Sequence, residues 1–333
     1  MTAIQTAQPT DRGMVTETIA VLGAGGTMGF PIARNIARAG LPVRAWNRSN
    51  DKAKPLTEDG AYLARTPRDA ATGAGIVITM LSDEEAVIAA MDGPDGALAA
   101  MRGAHEVGGA HEAGGAHEAG GGRAADPYGP HHALWIQMST IGEAATRRCA
   151  ELANHHGVGF VDAPVLGTRQ PAEEGKLVVL ESGPEEARPR IQPVFDAIGQ
   201  RTIRAGEAGA ASRLKLVTNS WVVAVVEAAA ETIALAEGLD LDPHLFLKAV
   251  EGGTLDLPYL RIKGKAITER DFTPAFRLAL AAKDAELVRR AAEDHGLDLP
   301  LVEAIARRFA EGAREHGDKD FSATYLMSTP KPR

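Results

Sequence analysis

The sequence predicts an α/β protein in two parts, a doubly wound parallel sheet followed by an all-α C-terminal domain. Three observations carry this prediction. Short apolar runs bounded by turn residues alternate with helical patterns up to residue 205, as in a series of βαβ units. The first run leads directly into a glycine-rich turn and a helix. Beyond residue 205 the strand pattern stops, and one long apolar helix is followed by amphipathic helices at 276–295 and 301–316. The domains read as 16–205 and 206–328, behind a polar leader at 1–15 that lacks the apolar core of a signal peptide and is expected to be disordered.

Composition narrows the function. With 333 residues, 44% of them apolar and 24% charged, the chain has the composition of a soluble globular protein with ample core. A net charge of -8 argues against a nucleic-acid partner and against an anionic membrane surface. The single cysteine, Cys149, rules out an internal disulfide framework and fits a reducing compartment, the cytoplasm. No apolar run reaches the ~20 residues needed to span a bilayer. No CxxC or HExxH spacing is present, so no metal is expected.

The first strand, residues 18–22 (TIAVL), runs straight into GAGGTMG. Glycines at this point permit a tight turn and a close approach of backbone to a pyrophosphate, which the N-terminus of the next helix (30–39) would face. This Rossmann-type fingerprint assigns Gly23, Gly25, Gly26, Thr27, Met28 and Gly29 to a dinucleotide cofactor. The second strand, 43–46, ends in Asn47, Arg48 and Ser49 with no acid to hold a ribose 2′-hydroxyl. Arg48 offers a fork of donors for a 2′-phosphate, so NADP is expected over NAD. The strand 76–80 ends in Met80, Leu81 and Ser82, which should wall the nicotinamide-ribose side. A helix follows at 84–91.

Between residues 102 and 132 the composition changes to GAHEVGGAHEAGGAHEAGGG, a near-repeat carrying three His-Glu pairs. Glycines between the pairs do not hold ligands on one side of a rigid element, and the stretch reads as an exposed flexible insertion. The sheet resumes at 134–138 and ends in Ser139 and Thr140, just before the helix 143–155. These hydroxyls either cap that helix or, with its first amides, hold an anionic substrate. A short strand at 160–162 leads into APVLGT (163–168), and strands at 177–181 and 202–204 flank a helix at 185–198.

The long helix reads as 206–238, closed by Gly238 as a C-cap and buried on most sides. Within it Lys215 and Asn219 are four apart and share one face. Burying an ammonium is costly unless it is paired or neutralised. Lys215 is therefore either a lysine snorkelling from the helix's first turn or a cleft lysine with a chemical task. A dinucleotide fingerprint in the same chain favours the second.

Taken in order, GAGGTMG, MLSD, STIGE, DAPVLG and GAASRLKLVTN resemble the β-hydroxyacid dehydrogenases, relatives of 6-phosphogluconate dehydrogenase. The resemblance runs from residue 18 to about 326 and leaves out the insertion and both tails. It implies that Lys215 is the catalytic lysine, Asn219 the substrate-binding asparagine and Ser139 a substrate-contacting serine. It implies too that Lys283, in FRLALAAKD, reaches the cofactor, and that the helical domain builds a homodimer. One departure matters. The family's usual DAPVSGG offers a serine hydroxyl and glycine amides to a substrate carboxylate, whereas this chain has Leu166, Gly167 and Thr168 there. The stretches PAEEG and LPYLRIKG look like the glyoxylate and succinic semialdehyde reductase branch, which uses NADP.

The expected reaction is hydride transfer between NADPH and the carbonyl or alcohol carbon of a small, carboxylate-bearing substrate. Lys215 would exchange the proton, and Ser139, Thr140, Gly167 and Thr168 would hold the acid end. An imine reductase on the same architecture is the alternative, favoured by Leu166 and disfavoured by Lys215. A non-catalytic NADP-binding module is the third reading.

Overall fold

The computed structural model describes residues 17–103, 128–129 and 132–328. The leader expected at 1–15 and most of the insertion expected at 102–132 lie outside the described residues. The strands are β1 (Ile19–Leu22), β2 (Val43–Trp46), β3 (Tyr62–Leu63), β4 (Ile76–Thr79), β5 (Leu134–Gln137), β6 (Gly159–Asp162), β7 (Val165–Leu166), β8 (Leu177–Ser182) and β9 (Gly199–Gly206). The first six run in the order 3-2-1-4-5-6, every pair parallel. This is the doubly wound order, and its strand sequence reverses between β1 and β4, the point beyond whose carboxyl ends open sheets of this order bind ligands.

The far edge departs from the sequence reading. Pro164 lacks the N–H that a continuing ladder would need, so the chain after β6 breaks and restarts as the two-residue β7. β8 then runs antiparallel to both β6 and β7, and β9 pairs with it in parallel. Alternation along the strands feeds two cores. Ile19, Val21, Ile76, Ile78 and Ile136 pack on one face, and Ala20, Leu22, Val77, Trp135 and Phe160 on the other.

Among the described residues, seven helices accompany the sheet: α1 (Gly29–Arg38), α2 (Pro67–Ala71), α3 (Glu84–Asp92), α4 (Ala97–Gly103), α5 (Glu143–His155), α6 (Arg169–Glu173) and α7 (Arg188–Ile198). Five more form the helix-rich C-terminal region: α8 (Ala210–Gly238), α9 (Pro243–Val250), α10 (Pro258–Thr268), α11 (Leu278–Asp294) and α12 (Pro300–His316). The short elements β3, α2, α4, β7, α6 and α9 have too few residues to show a period in sequence. α8 continues through Gly238, and the left-handed residue beyond its end is Asp240 (φ 57°), a residue type whose short polar side chain tolerates that conformation.

α8 is covered on most of its sides, but one side stays open. Val226, Ala230 and Ile233 are enclosed, while Val217, Trp221 and Leu235 are more than 60% exposed along one side. Among the described residues no helix is long and apolar enough to cross a membrane.

Candidate active site

The glycine turn is built by close backbone approach. Gly23 has φ 97°, and a Cβ there would lie 2.2 Å from the Met80 carbonyl oxygen. A Cβ on Gly29 would come equally close, 2.2 Å, to the Gly23 oxygen, so α1 can begin only with glycine at that point. Gly25 N–H donates to Asn47 Oδ1 at 3.2 Å, and Asn47 Nδ2 donates to the Ser49 carbonyl at 3.0 Å. Asn47 thereby ties the turn to the end of β2. No side chain caps α1 at Met28, which leaves its N-terminus available to an anion. Thr27, Arg48 and Ser49 are exposed, and Arg48 forms no ion pair among the described residues. Lys52, which sequence reasoning missed, lies beside this turn: its Cβ is 2.7 Å from where a Gly25 Cβ would sit. The signal for it was a second cation four residues after Arg48. This donor set fits a dinucleotide phosphate.

At the carboxyl ends of β4 and β5, the Ser139 hydroxyl accepts from Leu81 N–H at 2.8 Å and donates to the Thr79 carbonyl at 3.3 Å. The serine is wholly buried, and its hydroxyl holds Met80–Leu81 against β5 instead of capping α5. Ser82 donates to Asp83 at 2.6 Å, and Asp83 caps α3 through Ala86 N–H. Burial opposes ionisation of Asp83, but those hydrogen bonds and the charges of Lys283 and Arg48 hold its carboxyl below the usual range. Lys283, from the helical region, thus reaches the same strand ends as Arg48. Its ammonium donates to the Thr140 carbonyl and pairs with Asp284 at 3.0 Å.

The decisive element is α8. Ser212, Lys215 and Asn219 are spaced three and four apart and share one helical face. Each is bonded to a different element. Asp162, at the end of β6, accepts from both Ser212 N–H and Ser212 Oγ at 2.8 Å. Lys215 Nζ donates to the Val165 carbonyl at 2.9 Å. Asn219 Nδ2 donates to Asp284 on α11 at 2.9 Å. Ser182 on β8 reinforces the first contact, accepting from Ala211 N–H at 3.0 Å and donating to Asp162 at 3.2 Å. Thr146 Oγ1 on α5 lies 2.9 Å from Ser212 Oγ.

Burial pushes the Lys215 ammonium below the usual lysine range, and Lys283 adds to this while Asp284 opposes it. Burial also raises Asp162 to about 6, against the pull of its serine donors. Gly167 (φ 130°) is exposed on the loop after β7, and Thr168 begins α6 without capping it. Lys215, Asn219 and Lys283 therefore meet around Asp284, with Thr140 joined through its carbonyl. Asp162 and Asp284 were missed as well. Their signal was a carboxylate inside an otherwise apolar or lysine-bearing stretch.

The sequence model described as the NAD binding domain of 6-phosphogluconate dehydrogenase matches residues 18–108 and 122–206. The one described as NAD-binding of NADP-dependent 3-hydroxyisobutyrate dehydrogenase matches 209–327. The chain belongs to the β-hydroxyacid dehydrogenase family. Members of this family are NAD(P)-dependent oxidoreductases acting on CH–OH groups. The chain is 32% identical to the uncharacterized oxidoreductase YfjR of Bacillus subtilis, over 92% of this chain and 97% of that protein. It is 28% identical to the chloroplastic glyoxylate/succinic semialdehyde reductase 2 of Arabidopsis thaliana, over 96% and 82%. The 3-hydroxyisobutyrate dehydrogenase of Mycobacterium tuberculosis, solved with L-serine, superposes with a TM-score of 0.76 at 29% identity, covering 94% of this chain and 99% of that one.

Asp162→Ala leaves the Ser212 and Ser182 donors without their acceptor. Chemical denaturation should register a loss of about 2–4 kcal/mol. In the native protein Asp162 takes up its proton near pH 6, well above its ordinary 3.8. The folded state therefore binds more protons than the unfolded state in that window, and the stability contributed by this group rises as pH falls through it. The pH dependence of unfolding should lose this component in Asp162→Asn.

Proposed function

We propose that the chain is an NADP-dependent oxidoreductase that interconverts a small carbonyl compound and its alcohol, with Lys215 as the proton-exchanging group. The observation that carries this reading is Lys215 itself. Its ammonium is partly buried, bonded to a backbone carbonyl and not to a carboxylate, and held below the ordinary lysine range at the carboxyl end of the sheet. A bound nicotinamide cofactor supplies the hydride. Lys215 delivers a proton to the oxygen of the reacting carbonyl and takes it back in the alcohol direction. Asn219, oriented by Asp284, hydrogen-bonds the same oxygen. Thr140 and the Gly167–Thr168 amides contact the rest of the substrate, and Ser139 positions the Met80–Ser82 wall.

Arg48, Ser49 and Lys52 hold the 2′-phosphate that distinguishes NADP from NAD, and Gly23–Gly29 the pyrophosphate. Residues 16–205 form the cofactor domain and 206–328 the substrate and dimerisation domain. Two copies join across the apolar side of α8, where Val217, Trp221 and Leu235 are exposed. The apolar Leu166 near Lys215 favours a second reading, reduction of a cyclic imine, which needs no carboxylate site.

Consumption of NADPH with a panel of aldehydes, aldehyde acids and a cyclic imine tests the reading. Lys215→Ala should lower kcat for the carbonyl substrate ~10²–10⁴-fold while NADPH binding persists. Turnover of the imine alone would favour the second reading, and binding without turnover would leave a cofactor-binding module. Only protonated Lys215 donates, so kcat for reduction should fall as pH rises through a pKa below the ordinary 10.5, and oxidation should rise over the same window.

Arg48→Ala should raise KM for NADPH ~10-fold or more and leave KM for NADH nearly unchanged, since only the 2′-phosphate loses a charge-assisted contact. Light scattering of Trp221→Glu should give a monomer where the native chain gives a dimer.

A further inference from the structure

Leu166 stands next to the carbonyl that anchors Lys215, and its side chain has a defined direction. Val165 pairs with Val179, and Leu166 with Val178, in the antiparallel β7–β8 pair. Val165 and Val179 are buried in the core that α1 and α7 cover. Successive strand residues point to opposite faces and directly paired residues to the same one, so Leu166 and Val178 lie on the other face. Ser182 shares that face with Val178 by alternation, and it accepts the Ala211 N–H in the first turn of α8.

Leu166 is therefore on the side of the sheet that α8 crosses. It is only part-buried, and among the described residues it joins none of the apolar cores. The Val165 carbonyl and the Leu166 nitrogen share one planar peptide. Leu166 Cβ consequently lies within about 4 Å of the oxygen on which Lys215 Nζ rests. A molecule in contact with Lys215 has Leu166 beside it.

We propose that Leu166 selects the substrate class: carbonyl compounds that carry an apolar branch where an aldehyde acid carries its carboxylate. This rests on the Lys215-assisted reduction proposed above. An isobutyl side chain offers no donor and removes water from whatever it covers, which disfavours an ionised oxygen and favours an alkyl group. Lys283 is no ready counter-charge, because its ammonium is already held by the Thr140 carbonyl and the Asp284 carboxylate. What remains on this loop for an anion is the backbone N–H of the exposed Gly167 and of Thr168, with the Thr168 hydroxyl, which caps no helix. One apolar group gained, or one hydroxyl donor lost, changes selectivity ~10–100-fold.

The test compares near-isosteric pairs with NADPH: glyoxylate against isobutyraldehyde, and succinic semialdehyde against 4-methylpentanal. The native enzyme should favour the branched aldehyde of each pair at least ~10-fold in kcat/KM. Leu166→Ser should move that ratio ~10-fold or more toward the acid, and Leu166→Ala should relax the size limit without gaining acid preference. Preference of the native enzyme for the acids, or an unchanged ratio in Leu166→Ser, overturns the proposal.

Calorimetry of butyrate and butyramide binding to the NADP-loaded protein separates this inference from the reading it rests on. If no aldehyde is consumed by any variant, the reductase reading fails. A shift of binding from butyramide toward butyrate in Leu166→Ser still upholds the role of Leu166, and no shift overturns it.

Discussion

The structure depends on one buried carboxylate. The N-terminus of a helix leaves backbone N–H groups without intrahelical partners, and α8 starts at Gly209 with no capping side chain of its own. The sheet supplies the cap. Asp162 from β6 and Ser182 from β8 accept the amides of Ser212 and Ala211, so the first turn of the 29-residue helix is fastened to two strands. Charge on Asp162 suits the positive end of the helix dipole, yet burial disfavours that charge strongly enough to raise its pKa. A carboxylate is tolerated there because each of its oxygens is satisfied by donors from α8 and β8.

Fastening the first turn sets the phase of all the turns after it. From Ser212 the same face presents Lys215 and then Asn219, so the register at Asp162 decides which side chains meet β7 and α11. The second region of the chain closes the arrangement from the other side. Lys283 and Asp284 on α11 bond Thr140 and Asn219, and Leu287 packs within 2.9 Å of where a Gly142 Cβ would be. Lys215 is consequently held between strand ends and helices, poorly hydrated, with Asp284 near enough to favour its charge and too far to pair with it directly. Such a balance lets the amine give up its proton more readily than an ordinary lysine does.

Much of this was legible in the chain, for identifiable reasons. The glycine turn is a local device: its spacing, the strand before it and the helix after it lie within residues 19–38, and backbone sterics at Gly23 and Gly29 enforce it. Lys215 and Asn219 stood out because two polar residues on one face of an apolar helix need partners. The partners themselves were not legible. Asp284 is 65 residues from Asn219 and Asp162 is 50 from Ser212, so no window of sequence joins them. Ser139 shows the same limit. A hydroxyl at a strand end reads equally as a substrate contact, a helix cap or an internal tie, and the position of Leu81 across the sheet gives it the third arrangement here.

By itself, the sequence determined the alternation of strands and helices, the strand–glycine–helix unit, the absence of an acid after β2 and the lysine on a long helix, because periodicity, turn chemistry and charge act over a few residues. Only the tertiary structure decided that β8 reverses direction after Pro164, that one side of α8 stays open, and that Leu166 shares the α8 face with Lys215. These depend on which surfaces are brought together across the chain, and that is settled by packing and by the pairing of buried polar groups, not by local propensity.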